Sequence, residues 1–210
     1  MSRALLVVLL VGLGLVGGCG TPDDETTRPT RTATVAPQLP ENLPQLPVGT
    51  GDVAPGDAVH ARGPLLMVNG RRIRLAPLRA DTVAVVKGGV FFLNDDELWF
   101  TDLDQARPTG FDQVSSLVAS EDGRWVAFVD RGHGPKDDHG TPLALVLAYD
   151  AQTGKVQRAT YEGMGDPATD DLAARYAKSA PAVLGFDGKT MIVRGVDGVH
   201  RIPLEGGEPA

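Results

Sequence analysis

Cysteine is almost absent: the 210-residue chain has one, Cys19. A lone thiol closes no intramolecular disulfide and cannot build a multi-cysteine zinc site. Aromatic residues make up only 5% of the chain. Cation excess is missing too, since 20 Lys and Arg face 27 Asp and Glu for a net charge of −7. That balance argues against a nucleic-acid surface, which needs a basic patch to displace counterions from phosphates. No Gly-x-Ser-x-Gly, P-loop, dinucleotide fingerprint or His-Glu-x-x-His occurs, so the common catalytic signatures are excluded. Long apolar runs end at residue 16, and extended patterns of helical period are nearly lacking after it.

What is present starts at the amino end. Met1-Ser2-Arg3 is a short positive start, and residues 4–16 are an unbroken stretch of apolar residues and glycine. At about 1.5 Å per residue this stretch makes about 20 Å of helix, short of the roughly 30 Å hydrocarbon core of a bilayer. The pattern is that of a secretory signal peptide. It runs into Val16-Gly17-Gly18-Cys19, which resembles the lipobox of bacterial lipoproteins. The resemblance implies a signal peptide over residues 1–18 and a diacylglyceryl lipid on Cys19, the new amino terminus. It also implies that the protein sits on the extracytoplasmic face of the cell membrane. The lipid would account for a lone cysteine in an exported chain. Two long acyl chains, at about 0.8 kcal/mol per buried methylene, hold on the order of 20 kcal/mol of membrane affinity.

Residues 19–56 change character. Seven of the 16 prolines fall between residues 20 and 56, and residues 21–34 are rich in threonine. Proline removes backbone donors and fixes φ, so the expectation is an extended, semi-stiff tether from residue 19 to residue 56.

Residues 57–210 carry short apolar runs separated by turn signals, the pattern of antiparallel hairpins. Asn69-Gly70 joins residues 65–68 to residues 71–75, and both positions accept positive φ. Gly88-Gly89, Asp95-Asp96, Asp122-Gly123, Asp187-Gly188 and Asp197-Gly198 punctuate the later runs. Residues 169–178 interrupt them with Leu172, Ala173, Tyr176 and Ala177 at helical spacing behind Asp170, a candidate cap. Residues 117–128, with Ser120-Glu121-Asp122-Gly123-Arg124 at their centre, resemble the TolB-like, WD40-like β-propeller repeat. Residues 183–193 repeat the idea around Asp187-Gly188-Lys189, and Asp150-Ala151-Gln152-Thr153-Gly154 is similar to the outer turn of such blades. The resemblance covers residues 80–210 and implies an all-β fold of antiparallel sheets, a partial β-propeller of about three blades. Closed propellers use about four to eight, so association with a second copy or a partner is the corresponding expectation.

Chemistry-bearing residues concentrate in one loop, Arg131-Gly132-His133-Gly134-Pro135-Lys136-Asp137-Asp138-His139-Gly140. His133, Asp137, Asp138 and His139 offer the nitrogen and oxygen ligands that a divalent metal takes, beside a lysine that would repel one. Asp166, Asp170 and Asp171 suit calcium or a helix cap. Trp99 and Trp125 suit a sheet core or a carbohydrate platform. Two function classes follow. One is a lipid-anchored binding or scaffold module that meets a protein or cell-wall partner. The other is a propeller-type hydrolase with a loop-borne metal or acid–base site. For the anchor, mass spectrometry of the membrane fraction is expected to find lipid on an amino-terminal Cys19. Cys19→Ala should leave the chain unprocessed or release it, and an unmodified soluble chain would rule the lipidation out.

Overall fold

Turn chemistry lays down the hairpins. In the computed structural model, which describes residues 37–205, Asn69 and Gly70 hold φ of 48° and 80°. Two successive positive φ values match the right-handed twist of the strands they join. Among the described residues there are fourteen strands and one helix. The first sheet is β1 (Val59–Arg62), β2 (Leu65–Val68) and β3 (Arg71–Arg74). The second is β4 (Thr82–Val86), β5 (Gly89–Asn94), β6 (Glu97–Thr101) and β7 (Ala106–Pro108). The third is β8 (Val114–Ala119), β9 (Trp125–Asp130), β10 (Leu145–Asp150) and β11 (Lys155–Thr160). After α1 (Leu172–Lys178) the fourth is β12 (Ala182–Asp187), β13 (Thr190–Arg194) and β14 (Val199–Pro203).

Every sheet is an antiparallel meander in chain order. The all-β expectation holds, and the fold is propeller-like. There are four sheets, though, where the repeats suggested about three. The Asn69-Gly70 hairpin acquires β1, paired Val59 to Val68, and becomes a sheet of its own. The sheets adjoin along their first strands, β1 beside β4, β4 beside β8 and β8 beside β12. Among the described residues β12 and β1 are not packed in this way, so the row stays open.

Three apolar cores lie between the four sheets. Leu66, Val68 and Ile73 meet Val90 and Phe92 between the first and second. Phe91 and Phe100, with ring centroids 4.7 Å apart, meet Phe128 and Tyr149 between the second and third. Val129 and Val146 meet Val183, Met191 and Val193 between the third and fourth. Sheets two and three are therefore buried on both faces: residues 89–93 of β5 and all of β9 and β10 are buried. The end sheets bury one face only.

The proline-rich segment is not a tether along its whole length. Leu46 is 2% exposed and Val53 5%, both within apolar cores. The Leu46 amide donates to the Gly154 carbonyl at 2.9 Å, and the Gly51 amide to the Gly88 carbonyl at 2.9 Å. Gly88 returns a bond to Val53, and the Tyr149 hydroxyl donates to the Pro44 carbonyl, each at 2.9 Å. Residues 43–55 thus form a strap across the second and third sheets, correcting the boundary at 56. Proline does not prevent this, because the strap uses isolated bonds to turn carbonyls and no ladder. The rest of the expected tether, Cys19 included, lies outside the described residues. A Cβ on Gly49 would stand 2.2 Å from the Gly88 carbonyl oxygen, so only glycine fits there. Leu46→Ala is expected to cost about 2–4 kcal/mol in urea denaturation, whereas a silent substitution would return the strap to a loose linker.

Candidate functional site

The loop of residues 131–142 leaves the end of β9 and returns to β10. Its geometry is dictated by two carboxylates. Asp130, the last residue of β9, is fully buried. Its Oδ1 accepts from the Gly132 amide at 2.9 Å, and its Oδ2 lies 2.8 Å from Nδ1 of His133. The imidazole is about one-third exposed and sits edge-on to Phe111, with centroids 5.5 Å apart. This orients His133 so that Nε2 is the nitrogen not engaged by Asp130. Sequence reasoning starts the cluster at Arg131 and misses Asp130. The signal available was a carboxylate ending an otherwise apolar strand, three residues before a histidine.

Asp137 is the second carboxylate. Its Oδ1 accepts from the His139 amide at 3.0 Å and the Thr141 amide at 2.8 Å. Its Oδ2 accepts from the Leu172 amide, the first of α1, at 2.9 Å. Burial pushes this carboxyl up. The Thr141, Leu172 and His139 amides, with the His139 charge, outweigh it and hold Asp137 below the ordinary carboxylate range. Three donors already occupy this carboxylate, and it binds the loop to the helix.

Residues of the expected metal set are turned to separate partners. His133 turns to Asp130 and Asp137 to backbone amides, while His139 contributes its amide to Asp137. Asp138 is exposed. Among the described residues no group of three or more His, Cys, Asp or Glu is placed to hold a metal ion. The aspartates around α1 serve nearby backbone amides and one arginine. The cap is Asp171, one residue after the expected Asp170, and its side chain accepts from the Ala174 amide. Asp170 accepts from the Asp166 amide at 2.9 Å and pairs with Arg175 at 2.7 Å. Trp125 is 3% exposed in the core between the third and fourth sheets, and half-buried Trp99 donates to Glu97 at 3.0 Å.

Two grooves remain. One, of about 400 Å³, lies between the turns of the third and fourth sheets and is lined by Asp122, Arg124, Trp125, Phe186 and Lys189. Arg124 lies 4.4 Å over the Trp125 ring and 3.4 Å from Asp150, so its charge is already engaged. The other, of about 420 Å³, lies between the first and second sheets beside Pro77, Trp99 and Asp104. Compared with known protein families and with curated proteins, the chain matches none.

Asp137→Asn places an amide nitrogen where Oδ2 or Oδ1 accepts, so at least one of the three donors loses its partner. The lowered pKa sets the sign of the pH dependence. Stability from the ionised form is present above the unfolded carboxylate value of about 3.9 and is lost as pH falls through the folded value. Asp137→Asn should lower the melting temperature at neutral pH and flatten the acid limb of the stability curve. An unchanged acid limb would remove Asp137 from the account.

Proposed function

We propose that the protein is a lipid-anchored, extracytoplasmic binding or scaffold module. In this reading Cys19 carries the anchor, and the all-β body meets a protein or cell-wall partner through sheet faces at the ends of the row. The observation that carries the reading is the open row itself. Leu65 on the first sheet is 40% exposed, and Leu184 and Val199 on the fourth are 50% and 62% exposed. Internal sheets of this kind are covered on both sides, so apolar residues at the ends mark places where a partner fits. Loops and end faces on a rigid body also suit recognition without any chemistry of their own.

The hydrolase reading keeps one observation, the Asp130–His133 pair. A buried carboxylate orienting a partly exposed imidazole is how a general base is held. Among the described residues, however, no serine, threonine or cysteine hydrogen-bonds that imidazole. The binding reading has more behind it.

Chemical cross-linking in intact cells, followed by detergent extraction and affinity recovery, tests it. A discrete larger species, unchanged in His133→Ala, is the expected result. Recovery of an uncross-linked monomer from intact membranes would sink the binding reading. Ester or glycoside hydrolysis that disappears in His133→Ala would put the hydrolase in its place.

A further inference from the structure

Among the described residues, the outward face of the first sheet differs from that of the fourth. Pairing sets Arg62, Leu65 and Arg74 in one row across β1, β2 and β3. His60, Met67 and Arg72 form the next row. Alternation sends the other set, Val59, Ala61, Leu66, Val68 and Ile73, into the core against the second sheet. Six side chains therefore share one outward face: two apolar in the middle column, with arginine or histidine on both sides. The four flanking residues are all exposed. Strands lie about 4.8 Å apart, so the flanking columns stand about 10 Å from each other.

Among the described residues, the arginines of this face have no counter-charges. Among the described residues, no ion pair or hydrogen bond involves the side chain of Arg62, Arg72 or Arg74. Neighbouring Arg71 shows the contrast, since it points to the other side of β3 and lies 3.5 Å from Asp104. The fourth sheet's outward face shows it again, because there Arg201 meets Asp187 and Arg194 donates to the Ala180 carbonyl. An ordinary solvated sheet face mixes both signs. This one carries a single sign, in a chain whose net charge is −7.

We infer that the outward face of β1–β3 is a docking surface for a protein partner whose own sheet presents carboxylates around an apolar centre. This rests on the binding-module reading and names the partner's chemistry. The partner sheet takes the position that a preceding sheet of the row would occupy, about 10 Å from the first. Its apolar centre covers Leu65 and Met67, and its acidic rim meets Arg62, Arg72 and Arg74. Arginine suits that role, because its planar fork binds carboxylates in bidentate fashion. A second copy of this chain does not fit. Face against face would oppose arginine to arginine, and the fourth sheet would bring Arg194 and Arg201 to the same place. A membrane surface fits less well, because the basic area is one sheet wide.

The test uses the full chain in the cells that make it, with a photo-cross-linking residue at position 65 or, separately, at position 199. Position 65 is expected to give a protein adduct, and mass spectrometry should place it on a partner segment with Asp or Glu beside an apolar residue. Reversal by Arg62→Glu, Arg72→Glu and Arg74→Glu should reduce that adduct about tenfold, and the corresponding glutamine triple about threefold. Both triples should keep the wild-type proteolysis pattern. The glutamine triple decides the matter if the glutamate triple fails to fold. Lipid adducts, adducts to a second copy, no adduct at position 65, or an adduct indifferent to both triples would each overturn the inference. A partner captured at position 199 alone would overturn it while leaving the binding-module reading standing.

Discussion

A sheet that is apolar on both faces has to be covered on both sides, and that requirement organises the whole body. The second and third sheets are such sheets. Phe91 and Phe92 are adjacent in β5, and both are fully buried because they point into different cores. Burying a side chain of that size contributes on the order of 2–3 kcal/mol relative to exposing it, so neither internal sheet is stable without both neighbours. The first and fourth sheets serve as covers and are apolar on one side. The strap of residues 43–55 works to the same end. It closes the margin of the central core, where Leu46 joins Tyr149, whose ring stacks on Phe128 at 5.8 Å.

The acidic excess of the chain is spent on turns. Asp122 accepts from the Ser120 hydroxyl at 2.5 Å and the Arg124 amide at 3.0 Å, and these bonds hold its carboxyl below the usual range. Asp150 accepts from the Gln152 amide at 2.8 Å and the Thr153 amide at 3.2 Å, building the turn between β10 and β11. Asp57, Asp137, Asp166 and Asp171 act in the same manner on nearby or distant amides. A carboxylate already saturated by backbone donors has little left for a metal or a substrate. The loop that concentrates histidine and aspartate is thus explained by its own folding, with His133 the exception that keeps one nitrogen outward.

The hairpins were legible because turn chemistry is local. The turn between the first two strands of each sheet carries a glycine at positive φ, Gly63, Gly88, Gly123 and Gly188. Gly123 and Gly188 were visible in the repeat and Gly88 in a Gly-Gly turn signal, while Gly63 sits in Arg62-Gly63-Pro64, which has neither signal. The first sheet was therefore seen only as its second hairpin. The strap was illegible for a different reason. Its bonds join residues far apart in sequence, Leu46 to Gly154 and Gln45 to Thr153, and no spacing within the segment announces them. Asp137 was seen as a ligand because its composition is that of a ligand. Only the fold brings the Leu172 amide to it across the intervening sheet and loop.

The outer margins of the sheets bear on how the body associates. An unpaired outer strand presents free amides and carbonyls that can template another chain. Each outermost strand here carries residues that discourage it: Arg71, Arg72 and Arg74 in β3, Arg107 and Pro108 in β7, Lys155 and Arg158 in β11, Arg201 and Pro203 in β14. Proline withholds the donor a ladder needs, and a clustered charge must be desolvated before a strand can add. The first sheet's outward face has no such protection in its middle column, where Leu65 and Met67 stand. Open ends alone would suggest pairing strand to strand. Guarded margins beside a less guarded face direct association to the faces, and the fourth face, whose Arg201 and Arg194 are already engaged, is a different site from the first.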